Sequence, residues 1–276
     1  MPAISTSFNR FLLLLLLQLM LVPLAMSQLP QLSSVQQQWL GEQIFQNECN
    51  QRLECLTHWN VGEDFPSLGI GHFIWYRKNQ NELFEETFPS LIESYHTSNY
   101  DIPAWLKQLE PLDSPWQNRE EFLDDISSPQ MEELRQFLAN SMDLQLKFIV
   151  ARLHASVPEI LLATDAKQRA AIQRSFYQVA NSYPPYGIYA LIDYVHFKGT
   201  GIDERERYQN QGWGLLQVFI EMHETQQENA TLESFVDSAG AILERRVRNS
   251  PPTRNEQRWI AGWKKRLSTY LPTKAK

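Results

Sequence analysis

The chain has 276 residues, a formal net charge of −7 and 43% apolar residues. This is the balance of a soluble globular protein with material for one large or two small domains, and it argues against nucleic acid as the main partner, which calls for a basic face. The only cysteines are Cys49 and Cys55; no His or Cys pair stands at ligand spacing near them, so neither a metal nor a cofactor is expected.

Residues 1–27 read as an export signal. Arg10 precedes an apolar run from Phe11 to Met26, and Ala25-Met26-Ser27 fits the small-x-small cleavage rule. The run is short for a membrane span and polar residues follow it, so cleavage after Ser27 is expected, with no stable span left in residues 28–276. The expected location is periplasmic or secreted.

Ser33 and Ser34 are good N-caps, and Leu40, Ile44 and Phe45 recur on one helical face. Glu48 extends that face into the last turn. There the negative end of the helix dipole and apolar neighbours both disfavour the charged carboxylate, so its pKa is expected to rise, as a general acid near neutral pH requires. If this helix stops near Gln51, Cys49 and Cys55 can form a disulfide that fixes Glu48 against the next segment. From Leu56 to Tyr76 the chain turns β-branched and aromatic, with Gly62-Glu63-Asp64 and Pro66 as a turn, and with Gly69 and Gly71 allowing close backbone approach. A glycine-punctuated strand pair is expected. Glu63 or Asp64 is the candidate second carboxylate, and Trp59 and Asn60 are candidate substrate contacts.

A short amphipathic helix interrupted at Pro89 comes after it, then a loop-rich stretch over residues 97–128 with short helices around Trp105 and Phe122, whose tryptophans are expected to pack. Ser128-Pro129 opens a helix with Leu134, Phe137, Leu138, Leu146, Ile149 and Leu153 on one face, ending before Pro158. Thr164-Asp165 caps another, which buries Ile172, Phe176 and Val179 and stops before Pro184-Pro185. Gly187 to Phe197 is apolar enough for a buried helix.

Gly199-Thr200-Gly201 is no phosphate loop, because acidic residues and no G-K-[ST] follow it. The stretch to Gly214 is a surface loop or, on the sharper reading, the opposite wall of a cleft, with Tyr208, Gln211 and Trp213 facing sugar rings and hydroxyls. Glu204 or Glu206 then competes for the role of second carboxylate. The last helices start at Thr231 and Asn255. The basic residues gathered there, from Arg245 to Arg266, read mostly as a solvated face, with contact to an anionic polymer as the minority reading.

Ser67-Leu68-Gly69-Ile70-Gly71-His72 resembles the T-I-G-I-G-H strand of phage-type lysozymes, which follows the helix bearing their catalytic glutamate at about this distance. Asn60-Val61-Gly62-Glu63 is similar to the N-I-G-D turn of chitosanases. Asn249 to Arg254, followed by Trp259 and Trp263, looks like the helix-turn-helix that closes phage lysozymes. The resemblance implies a lysozyme-like fold: α+β, mostly α, with a small β-hairpin or sheet at the active-site cleft (residues 33–78), a loop-rich insertion (79–128) and a helical lobe (129–271) in a single domain over residues 28–276. It also implies that Glu48 is the acid, that Ser67 stands beside the attacked carbon, and that His72 supports structure through a buried pairing. The phage family's aspartate falls on Val61, so the second carboxylate shifts to Glu63 or Asp64.

The resemblance implies one of two classes of function. The first is an exported glycoside hydrolase cleaving a β-1,4-linked amino-sugar polymer, peptidoglycan or chitosan-like, with a lytic transglycosylase using Glu48 alone as its variant. The second is a lysozyme-like scaffold that binds cell-wall glycan without cleaving it. The net negative charge suits an enzyme of the cell's own wall, or of a neutral or cationic polymer, better than a secreted antibacterial protein.

Overall fold

The structure, a computed structural model, describes residues 28–82, 84–204, 206–225 and 230–272; the expected export signal lies outside the described residues. Helix α1 (Ser34–Cys49) starts in a capping box, with Ser33 Oγ accepting from the Gln36 N–H and the Gln36 side chain accepting from the Ser33 N–H. Leu40, Ile44, Phe45 and Cys49 are buried. The helix ends where Asn50 turns left-handed, at φ 49°, and its N–H returns to the Gln46 carbonyl. That stop leaves Cys49 and Cys55 with Cα atoms 5.4 Å apart, and they form a disulfide.

In place of the expected strand pair there is a three-stranded antiparallel meander of two-residue strands: β1 (Thr57–His58), β2 (Ser67–Leu68) and β3 (Phe73–Ile74). Ser67 lies opposite both His58 and Ile74. The ladder is short because side chains take over as acceptors beyond it. Ile70 N–H donates to Gln145 Oε1, Ile74 N–H to Thr87 Oγ1 and Tyr76 N–H to Glu86 Oε1. Gly69, at φ +69°, needs its glycine twice over, since a Cβ there would come within 2.3 Å of Gln145 Oε1.

Helix α2 (Phe88–Thr97) carries Pro89 in its first turn, where a missing N–H costs nothing, so the proline starts the helix and does not interrupt it. Short helices α3 (Ala104–Lys107) and α4 (Arg119–Asp124) come next. The tryptophans here pack: Trp116 sits edge-on to Trp75 and to Phe122, at 5.8 and 4.9 Å. The single helix expected after Ser128 is two, α5 (Pro129–Asn140) and α6 (Met142–Leu162). The break falls at buried Ser141, whose hydroxyl donates to the Phe137 carbonyl while Gln145 Nε2 donates to that of Leu138. α6 runs through Pro158 and does not end before it.

Helix α7 (Arg169–Ala180) begins later than expected, because Asp165 instead closes a tight turn by accepting from the Lys167 N–H. α8 (Tyr186–Lys198) is the buried helix anticipated from its composition, with both neighbours of Asp193 along the chain in the core. A hairpin of β4 (Arg207–Tyr208) and β5 (Gln211–Gly212) leads into α9 (Leu215–Glu224), α10 (Leu232–Asn249) and α11 (Ile260–Ser268). Hydrophobic contacts form one continuous cluster from Leu40 to Tyr270. The class is mostly helical α+β with a small antiparallel sheet. Among the described residues no helix is long and apolar enough to cross a membrane.

Candidate functional site

Glu48 is where four parts of the fold meet. It comes from the last turn of α1, and its side chain is only 13% exposed. The turn between β2 and β3 brings His72, held at φ 44°, so that Nδ1 lies 3.6 Å from Glu48 Oε2. Gly71 makes this turn possible, since a Cβ there would run into the Phe73 ring at 2.6 Å. From α8 comes His196, with Nε2 3.5 Å from the same Oε2. From α11 comes Arg266, whose guanidinium donates to Oε1 at 2.7 Å.

Behind this cluster Arg266 is fixed by Asp193, which it grips with two further bonds of 2.8 and 2.7 Å. Asp193 is 3% exposed and fully engaged, accepting also from Tyr270 Oη and Asn47 Nδ2. Asn47 in turn donates to Tyr189 Oη. A buried carboxylate and guanidinium with complete partners form a rigid frame, and the frame aims Arg266 at Glu48. The disulfide closes the other side: Cys55 Sγ lies 3.5 Å from the Glu48 carbonyl oxygen and 3.6 Å from His72 Nε2.

The expected rise in the Glu48 pKa is overturned. Burial does push it up, but the contacts with His196, Arg266 and His72 outweigh burial and hold the carboxyl at about 2. Arg266, permanently charged and at hydrogen-bond distance, is the partner a sequence view of α1 does not contain. Glu48 is therefore an anion in the resting protein. Burial pushes the His72 imidazole down, with Glu48 opposing and His196 and His58 reinforcing the fall.

Among the described residues, the other sequence candidates make their hydrogen bonds outside this cluster. Glu63 accepts from Asn60 Nδ2 at its carboxylate and from Trp59 Nε1 at its carbonyl; the Asp64 carbonyl accepts from Arg77 and Gln80. No hydrogen bond or ion pair among the described residues joins either side chain to Glu48 or its partners. Ser67 is buried in the middle strand. Trp59 is 2% exposed with its ring against Phe122, so it packs where a sugar contact was expected. Trp213 is 7% exposed, against Tyr208 and under the Arg246 guanidinium at 4.0 Å, which likewise leaves its ring to the core. Tyr208 Oη donates to Glu256 and Gln211 accepts from Asn249. Glu204 is exposed, and the Glu206 carboxylate lies against Gly199. The basic residues near the C-terminus are mainly a solvated face, with Arg248, Arg254, Arg258, Lys264 and Lys265 exposed; the half-buried exceptions are Arg245, which pairs with Glu221, Arg246, with buried Glu256, and Arg266, with Asp193 and Glu48.

Three residues that complete the cluster, Asp193, His196 and Arg266, are not singled out by sequence. A signal does exist: Asp193 is the one acid in an apolar helix, and His196, three residues on, shares its face. Beside the cluster opens a cavity of about 440 Å³, whose walls include Gly71, Phe73, Arg152, Glu159, His196 and Thr200.

Two groups bring metal-ligating atoms within 4.8 Å of one another: Glu48 with His72 and His196, and Cys49 with Cys55 and His72. Pairing in the disulfide removes the second group's thiolates. The expectation of no metal rests on neighbours along the chain and does not reach His196. Compared with family models, characterised proteins and solved structures, the chain has no match.

Proposed function

We propose that this protein is an exported enzyme that cleaves the glycosidic bond of a β-1,4-linked amino-sugar polymer, of the peptidoglycan or chitosan type, with Glu48 as the proton-carrying group. One observation carries the reading. The glutamate that the resemblance to phage-type lysozymes points to is also the residue on which a helix end, a glycine-rich turn, two histidines and an arginine frame converge beside a cavity. Such convergence of partners on a mostly buried carboxylate is characteristic of reactive groups.

The resting anion becomes an acid only when His196 and Arg266 let go. Arg266 keeps two bonds to Asp193 without Glu48, so a substrate that draws the carboxyl away leaves the guanidinium satisfied. A sugar in the cavity also adds desolvation, the influence that already raises the Glu48 pKa. Substrate arrival thus supplies the proton affinity that the free protein lacks.

The lytic transglycosylase course is the better supported variant. Among the described residues Asp193 is the only other carboxylate bonded into this cluster, and it is used up by Arg266, Tyr270 and Asn47; Glu85 and Glu159 line the cavity without a bond to Glu48 or its partners. A single acid-base group suffices when the substrate's own hydroxyl closes on the anomeric carbon, whereas hydrolysis needs a second carboxylate to ready a water. Mass analysis of products released from peptidoglycan and from chitosan by residues 28–276 tests this. Chains with 1,6-anhydro ends support the single-glutamate course, and reducing ends support hydrolysis. Retention on the polymer with no released fragment would instead favour the glycan-binding scaffold.

A further inference from the structure

We infer that Glu48, His72 and His196 form a binding site for a divalent transition metal of the imidazole-preferring class, with Zn²⁺ as its representative. The site holds the ion through Glu48 Oε2, His72 Nδ1 and His196 Nε2. This goes beyond the glycan reading and does not depend on it, since the ion is held by atoms already assembled in the fold.

The geometry is that of ligands around a gap. Zn²⁺ sits about 2.0–2.2 Å from nitrogen and oxygen ligands, which separates neighbouring ligand atoms by about 3.3 Å in a tetrahedral shell. Here the two imidazole nitrogens point at one carboxylate oxygen from 3.5 and 3.6 Å, and no pair of the three atoms is further apart than 4.8 Å. Those separations exceed a normal hydrogen bond, so neither histidine is drawn tight onto the carboxylate. An ion in the gap moves each ligand by only a few tenths of an ångström to about half an ångström from its present place. The ligands come from three different elements, α1, the β2–β3 turn and α8, and two nitrogens with one carboxylate is a donor set that zinc enzymes use.

The surroundings fit the charge of such an ion. Arg266 is the objection, being a cation on Glu48, but it binds only Oε1 and leaves Oε2 to the ligand set. Asp193 neutralises that guanidinium through two bonds. With both imidazoles neutral, Glu48, Asp193 and Arg266 together carry one negative charge, which a divalent ion converts to one positive. Arg266 and Asp193 then act as the outer partners that fix the orientation of a ligating carboxylate. His196 also lines the 440 Å³ cavity, so the remaining coordination position opens on a space that can hold water or an anionic group.

Coordination uses the same Oε2 lone pair that a proton would use. The metal-bound protein therefore cannot run proton transfer through that oxygen, and Zn²⁺ acts on any glycan cleavage as an occupant of Glu48 and not as a cofactor.

Isothermal titration of metal-stripped residues 28–276 with ZnCl₂ at neutral pH tests the site. The expected result is one ion per chain, with affinity lowered in His72→Ala, His196→Ala and Glu48→Gln by more than the ~10–100-fold typical of losing an outer-shell partner. His196 is the most exposed of the three, with 35% of its side chain accessible, so His196→Ala keeps the fold and remains informative if His72→Ala does not. His96→Ala, outside the cluster, should bind as the wild type does. Absence of stoichiometric binding, or Zn²⁺ affinity unchanged in His196→Ala, overturns the inference. Because the readout is heat of metal binding, a protein without glycan-cleaving activity can still pass or fail it.

Discussion

Replacing Arg266 with alanine should destabilise the protein more than replacing the glutamate it holds with glutamine. Arg266→Ala leaves Glu48 and Asp193, respectively 13% and 2% exposed in their side chains, as neighbouring carboxylates with no cation between them. Breaking a buried ion pair from one side costs about 3–5 kcal/mol, and for a chain of this size each kcal/mol lowers Tm by roughly 2–4 °C, so a loss of roughly 6–20 °C is expected at pH 7. Glu48→Gln removes one charge and leaves Arg266 paired with Asp193, so its cost is capped by what the depressed carboxyl contributes, on the order of 3 kcal/mol. The charge origin has a pH signature. Glu48 is held at about 2 in the folded protein against about 4.3 unfolded, a depressed carboxyl, so its stabilisation is complete above about 4.3 and disappears as pH falls towards 2. Thermal unfolding followed by circular dichroism at pH 7 and at pH 2.5 should therefore show the Arg266→Ala deficit shrinking in acid. An equal deficit at both pH values would mean that the loss is of packing, since the guanidinium also lies over the Phe197 ring at 4.6 Å, and would refute the electrostatic reasoning.

The same geometry gives two further expected outcomes. Cys55→Ser opens the bridge that ties the end of α1 to the sheet; closure of so short a loop is worth about 2 kcal/mol, and a reductant should lower the Tm of the wild type but not that of the variant. Lys198 is 7% exposed, and burial beside Arg246 pulls its amine down to about 7, even though the Phe197 and Trp263 rings at 3.8 and 3.7 Å favour the cation. In this window the unfolded chain binds more protons than the folded one, so unfolding free energy should rise between about pH 7 and the unfolded lysine value of about 10.4. Urea titrations at pH 6.5 and 9 should show that rise in the wild type and lose it in Lys198→Met; equal slopes in the two proteins would contradict the assignment.

What the sequence makes legible is local. Ser33 and the apolar spacing through Phe45 specify α1, and the left-handed Asn50 stop is what the Cys49–Cys55 pairing requires. Glycines at 69 and 71 mark the close approach of Gln145 and of the Phe73 ring, though not which groups fill the space. What stays hidden depends on distant partners. The Glu48 pKa goes the other way because His196 arrives from α8 and Arg266 from the last helix, and along the chain that arginine is one of a basic group that reads as a solvated patch. His196 and Asp193 are masked by the apolar run of α8. The split at Ser141 depends on Gln145, which joins the helix break to the sheet and has no signature in helical periodicity. Trp59 and Trp213 look like sugar platforms by residue type, but burial decides that role, and burial is set by Phe122 and Arg246.

The central claim is that Glu48 carries the reaction, and the comparison of residues 28–276 with their Glu48→Gln variant on insoluble peptidoglycan tests it most directly. The account predicts soluble fragments from the wild type, none from the variant, and equal sedimentation of both with the polymer. Fragment release by Glu48→Gln at the wild-type rate would contradict it.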